Sequence, residues 1–155
     1  MTNFEARIQE LGIQLPQSIP PVGNYLRSMS TGNLLFTSGH LPDSAGTPIH
    51  AGKLGRDLTV DQGYEAARQA MIATLGTVRN ALGTLDRVTR IVKLLGMVNS
   101  TTEFIEQPAV INGASDLLQE VFGETAPHAR SAVGMAQLPR NNCVEIEAIF
   151  EFRDA

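Results

Sequence analysis

The segment from His128 to Phe152, HARSAVGMAQLPRNNCVEIEAIFEF, carries one guanidinium and several carboxylates on two alternating stretches joined by Leu138-Pro139-Arg140-Asn141-Asn142. The alternation predicts a hairpin. On its first strand Arg130, Ala132, Gly134, Ala136 and Leu138 share a face. On its second strand Val144, Ile146, Ala148, Phe150 and Phe152 form an apolar face, with Cys143, Glu145, Glu147, Ile149 and Glu151 opposite. The planar fork of Arg130 is built to make two parallel charge-assisted bonds to a carboxylate, which a lysine ammonium cannot reproduce. That carboxylate belongs either to the chain, with Glu145 or Glu147 as a structural counter-ion, or to a small acid. Glu145 itself has the structural reading of a counter-ion to Arg130.

The remaining reactive residue types are sparse. His40, His50 and His128 are too widely spaced to suggest a metal site. A single cysteine, Cys143, excludes an intramolecular disulfide and a Cys-based zinc site. There is no Gly-rich phosphate loop, nucleophile elbow or dinucleotide fingerprint, so no cofactor is expected. A net charge of −4 with 5% aromatic residues offers little path for nucleic acid. No signal-like amino terminus and no run of about 18 apolar residues is present, so a cytoplasmic protein without a membrane span is expected.

These residues need a scaffold, and 155 residues with 43% hydrophobic content suit one domain. We divide it into an N-terminal appendage, 1–22, and a core, 23–152. Phe4, Ile8 and Leu11 have helical spacing, with Gly12 as the stop. The prolines at 16, 20 and 21 favour an extended surface segment. Strands are expected over Tyr25–Ser30 and Asn33–Thr37 about Thr31-Gly32, followed by a loop from Pro42 to Gly55 with room for one short edge strand. The clearest helix runs from Val60 to Leu82, with Thr59 and Gln62 at capping-box spacing and Gly83 as a left-handed stop. A strand over Arg87–Val98 and a helix over Pro108–Phe122, stopped by Gly123, complete the chain before the hairpin. The order predicts an α+β fold, a mixed sheet with two helices packed on one face. The strands over 87–98 and 128–138 are apolar on both faces, so the far face also needs covering.

Two motifs bear a resemblance to a known family. The run Ala129-Arg130-Ser131-Ala132-Val133, then Leu138-Pro139, then Val144-Glu145-Ile146-Glu147-Ala148-Ile149, is similar to the C-terminal signature of the Rid/YjgF family. Leu34-Leu35-Phe36-Thr37-Ser38-Gly39-His40-Leu41-Pro42 resembles that family's strand ending in Thr-Ser-Gly-x-x-Pro. The resemblance implies a chorismate-mutase-like fold and a homotrimer with ligand clefts between subunits. It implies that Arg130 grips a substrate carboxylate and that Glu145 lies near the attacked carbon. Tyr25 would close the cleft, Ser38 and Gly39 would line it, Asn112 would reach it from a helix, and Ala132 would contribute its backbone. His40 would sit at the rim or on a solvated turn. The implied reaction is cofactor-free hydrolysis of small enamine or imine acids such as 2-aminoacrylate to keto acid and ammonia. Two alternatives are a trimer that binds small carboxylates without turnover and, third, the endoribonuclease L-PSP or translation-inhibitor activity of some relatives. The chain departs from the family pattern where Ala132 replaces a frequent cysteine, where His128 shifts the usual Pro-x-Arg, and where Ser115 and Leu117 occupy usual aromatic positions.

Overall fold

The computed structural model describes residues 3–17, 19–44 and 46–154. Among the described residues three α-helices, α1 (Phe4–Glu10), α2 (Val60–Leu82) and α3 (Gln107–Phe122), accompany seven strands. The strands are β1 (Ser28–Thr31), β2 (Leu34–Thr37), β3 (Asp43–Ser44), β4 (Thr47–Pro48), β5 (Val88–Asn99), β6 (Ala129–Met135) and β7 (Val144–Phe152). The main sheet has the order β1-β2-β7-β5-β6, with only β5 and β6 parallel. This is the expected α+β fold with a mixed sheet. α2 lies over β2 and β7, α3 lies over β5 and β6, and the two helices pack side by side on one face.

The hairpin expected from 128–152 does not form. β5 lies between β6 and β7, which pair with it and not with each other. Periodicity specifies which residues share a face of a strand but carries no information about its neighbour. The connection spans one strand's width instead of turning tightly. Arg140 and Asn141 there have φ of 53° and 58°, a left-handed pair that reverses the chain. Asn99, at the end of β5, ties the connection down by donating from Nδ2 to the Asn142 carbonyl at 3.2 Å and to the Gln137 side chain at 2.7 Å.

Pro42–Gly55 also differs from expectation. Two short strands, β3 and β4, pair with each other as a separate ribbon rather than forming one edge strand. Arg140 pairs with Asp43 and so links the ribbon to the β6–β7 connection. The Gln14–Pro21 stretch has no helix or strand among its described residues, but it is not wholly superficial, since Leu15 is buried. Phe4 and Ile8 of α1 join the main core, and the Phe4 ring lies 4.7 Å from that of Phe122.

The long helix starts and stops as its residues dictate. Thr59 accepts a bond from the Gln62 N–H while the Gln62 side chain accepts from the Thr59 N–H, and Gly83 closes the helix at φ 82°. Its contact with α3 depends on a missing side chain. A Cβ at Gly113 would overlap the carbonyl of Tyr64 on α2, so the helix backbones approach more closely than any other residue permits. We expect Gly113→Ala to cost about 3 kcal/mol in urea denaturation, because a backbone carbonyl cannot yield as a side chain would. Thr59→Ala, which removes only the cap, should cost about 1 kcal/mol. Equal midpoints for the two variants would contradict the close crossing.

Candidate functional site

Side-chain direction in β6 follows its pairing with β5. Arg130 is level with Leu94, which is buried under α3, so the arginine emerges on the helix face at the edge of the sheet. There its Nη1 donates to Asn112 Oδ1 at 2.8 Å and to Ser115 Oγ at 3.1 Å, and its Nη2 donates to the Pro108 carbonyl at 3.4 Å. All three acceptors are neutral and come from one stretch of α3. Asn112 and Ser115 meet the same guanidinium because residues three apart lie on one side of a helix. Arg130 has no carboxylate partner among the described residues.

Glu145 occupies the other face. It is level with Met97 on β5, whose neighbours Leu94 and Val98 are the ones buried under the helices. Its carboxylate lies directly against Gly39, where a Cβ would overlap it. Partial burial, reinforced by repulsion from Glu147, raises the Glu145 carboxyl above the usual glutamate range. A carboxyl shifted in this direction takes up its proton at higher pH than an exposed glutamate does.

The Ser38-Gly39-His40 segment continues β2 alongside β7, with His40 exchanging backbone bonds with Ile146 at 2.7 and 3.0 Å. Ser38 Oγ donates to the Leu26 carbonyl at 2.6 Å, which ties this segment to the approach to β1. His40 is not at a rim. It is 4% exposed, with Nδ1 at 2.8 Å from the Ser38 carbonyl and Nε2 at 2.7 Å from Thr77 Oγ1. Tyr25 is 47% exposed, and Ala132 is half-buried next to Gly96. Cys143, assigned by alternation to the face opposite the core, is fully buried, and burial pushes its thiol up to about 11.

The sequence-derived residues therefore fall into two groups. Arg130 and Asn112 meet on the helix face, whereas Ser38, Gly39 and Glu145 gather about the β2–β7 side. The intervening strand separates β6 from β7 by about 10 Å. Ser115 and His128 were not assigned to the site from sequence, yet Ser115 contacts Arg130 and His128 contacts Ser115. His128 Nε2 is 3.0 Å from Ser115 Oγ, and its Nδ1 is 2.7 Å from the Ala126 carbonyl. The i, i+3 spacing of Asn112 and Ser115 was the available signal. No cluster of His, Cys, Asp and Glu suited to a metal ion occurs among the described residues. No helix among them is long and apolar enough to cross a membrane.

The mixed sheet with α2 and α3 packed on one face is an α+β fold of the chorismate-mutase-like type. A family model described as "YjgF/chorismate_mutase-like, putative endoribonuclease" matches residues 5–151, and the chain belongs to this family. It is 45% identical over 150 residues to Protein TCP17 of Trypanosoma cruzi, covering 96% of this chain and 94% of that one. It is 30% identical over 135 residues to 2-iminobutanoate/2-iminopropanoate deaminase of Escherichia coli (strain K12), covering 83% and 87%. The crystal structure of the Agrobacterium tumefaciens protein Atu1372, of unknown function, superposes with a TM-score of 0.89 at 45% identity, covering 97% and 92%.

Burial lowers the His40 pKa from 6.5 to about 4, against the raising effect of its bond to Ser38, and nearby Arg27 lowers it further. The unfolded chain therefore takes up this proton first as pH falls. The stability that depends on neutral His40 is present above pH 6.5 and lost towards pH 4, by up to about 3 kcal/mol. Glu145 contributes with the opposite sign, so the difference between wild type and His40→Gln is the quantity to measure. Urea midpoints of wild type should fall more steeply than those of His40→Gln between these limits; parallel curves would contradict a neutral buried imidazole.

Proposed function

We propose that this chain hydrolyses small enamine or imine acids to keto acid and ammonia without a cofactor, at sites formed between copies of the chain. The observation that carries this reading is the guanidinium of Arg130, held by neutral acceptors and without a counter-ion among the described residues, together with a partly buried Glu145 against Gly39 that has no ion-pair partner among them. The deaminase relative supports the chemistry.

The geometry supports an intersubunit site. Arg130 and Glu145 leave opposite faces of the sheet with β5 between them, and their partners on β5, Leu94 and Met97, lie about 10 Å apart along that strand. A small acid cannot reach both groups of one chain, but a neighbouring copy could present the second half. Met29, Phe36 and Val133 on the uncovered sheet face are 59%, 39% and 41% exposed, an apolar surface suited to burial against other copies. A trimer of the Rid type would satisfy both requirements.

Imines are already electrophilic, so catalysis requires mainly orientation and proton transfer. Arg130 fixes the substrate carboxylate. Water adds to the imine carbon, the nitrogen gains protons, and the C–N bond breaks to release ammonia and leave the carbonyl. Glu145 takes a proton from the attacking water and returns it to the departing nitrogen. Ser38, Gly39, Ala132 and Tyr25 would line the cleft, and Asn112 would hold Arg130.

A carboxylate-binding protein without turnover uses the same arginine but needs no proton shuttle; the Glu145 carboxylate set against Gly39, together with the deaminase relative, favours the hydrolase. The endoribonuclease reading rests on the descriptions of the family and of some structural relatives, and no residue of this site favours it. Arg130→Ala should weaken keto-acid binding by roughly 30- to 100-fold, the value of charged hydrogen bonds, as read by calorimetry. Glu145→Gln should retain that binding while imine hydrolysis falls by about 10²-fold or more. Full hydrolytic activity in Glu145→Gln would remove the shuttle, and unchanged affinity in Arg130→Ala would remove the carboxylate grip.

A further inference from the structure

The hydrogen-bond geometry beside Arg130 determines where its hydrogens point. His128 Nδ1 lies 2.7 Å from the Ala126 carbonyl, which can only accept, so Nδ1 carries the proton. In the neutral ring Nε2 is then an acceptor, and the Ser115 hydroxyl, 3.0 Å away, must donate to it. That leaves the Ser115 oxygen lone pairs facing Arg130 Nη1 at 3.1 Å. With Asn112 Oδ1 at 2.8 Å, both Nη1 hydrogens are accounted for. The Nη2 group has only its 3.4 Å contact to Pro108, and Nε has no hydrogen-bond partner among the described residues.

We propose that Ser115 and His128 form a positioning couple that fixes the guanidinium of Arg130 and reserves its Nε–Nη2 edge for the carboxylate of a ligand. This inference rests on the reading of Arg130 given above. A serine hydroxyl alone rotates freely and can turn its hydrogen towards the guanidinium, where it repels. His128 prevents this by taking that hydrogen, so Ser115 presents an acceptor at all times. Ala126 in turn fixes the tautomer of His128. No member of the chain carries negative charge, so Arg130 is oriented without being neutralised. A carboxylate in place of Ser115 would also orient it, but would compete with the substrate.

The test compares Ser115→Ala, His128→Leu and His128→Gln with wild type. Gln can return an acceptor oxygen near the position of Nε2, while Leu cannot. Pyruvate and 2-oxobutanoate binding is measured by calorimetry, with KM and kcat for imine hydrolysis and the thermal midpoint of each variant. Ser115→Ala and His128→Leu should each weaken keto-acid binding and raise KM by roughly tenfold, with little change in kcat. The double variant should be no worse than either single one, because both break one chain of bonds. His128→Gln should recover most of the affinity. Nitrogen-15 spectra of the imidazole in wild type should show His128 protonated at Nδ1.

Wild-type affinity in His128→Leu, or a proton on Nε2, would overturn the couple while leaving the role of Arg130 intact. Multiplicative losses in the double variant, or losses that follow a falling thermal midpoint in all three variants, would also overturn it. A wild-type protein that binds neither keto acid would overturn the reading of Arg130 and the couple with it.

Discussion

The insertion of β5 between β6 and β7 is the constraint on which the rest of the molecule depends. It gives the twelve-residue β5 a partner on each side, parallel to β6 over Lys93–Asn99 and antiparallel to β7. Its buried side, Ile91, Leu94 and Val98, meets the helices, and Gly96 makes room for Ile111 of α3 in the same row. α3 can then lie close enough to the sheet for Asn112 and Ser115 to reach Arg130 on the adjoining strand. The same insertion carries Glu145 away from that arginine. One topological choice thus prevents the internal ion pair that their proximity in sequence would invite.

Electrostatics gives this separation its consequence. A partly buried charge without a counter-ion costs stability, and a structural ion pair would relieve that cost. The fold keeps the positive charge of Arg130 and supplies dipoles instead: an amide oxygen, a hydroxyl and a backbone carbonyl. Glu145 is treated differently, since burial and Glu147 favour its neutral form. One group is oriented by dipoles, whereas the other is shifted towards its neutral form by its surroundings. In the proposed reaction the first would hold the anion and the second would move the proton, whereas a pair that merely stabilised the fold would need neither to be free.

Local features were the most legible in the amino-acid sequence, because their causes are local. The bounds of α2 follow from the Thr59–Gln62 box and Gly83, and the alternation in β7 correctly sorted Val144, Ile146, Ala148, Phe150 and Phe152 into the core. Membership of the family was carried by motifs about Arg130 and Ser38-Gly39 and is shown by the family match over 5–151. Neighbour relations were not legible. Alternation in 129–152 looks the same whether two strands pair or a third divides them, and the left-handed pair at Arg140 and Asn141 that permits the crossing has no glycine to announce it. Burial of Cys143 and His40 was likewise hidden, since each lies where a strand end meets a loop and period-two patterning no longer applies.

The departures at Ser115 and His128 become intelligible together. Considered singly, a serine within a helix and a histidine ahead of a strand are unremarkable surface residues. In three dimensions the carbonyl of Ala126, at the end of the turn after α3, sets the imidazole. The imidazole sets the hydroxyl, and the hydroxyl sets the arginine. Each link depends on the one before it, so the orientation of the guanidinium originates in backbone geometry four residues upstream rather than in a charged neighbour. Such an arrangement is rigid only while every acceptor stays in place. The close packing of α3 on α2 at Gly113, one residue from Asn112, therefore stabilises the fold and holds two of the arginine's partners at their distances.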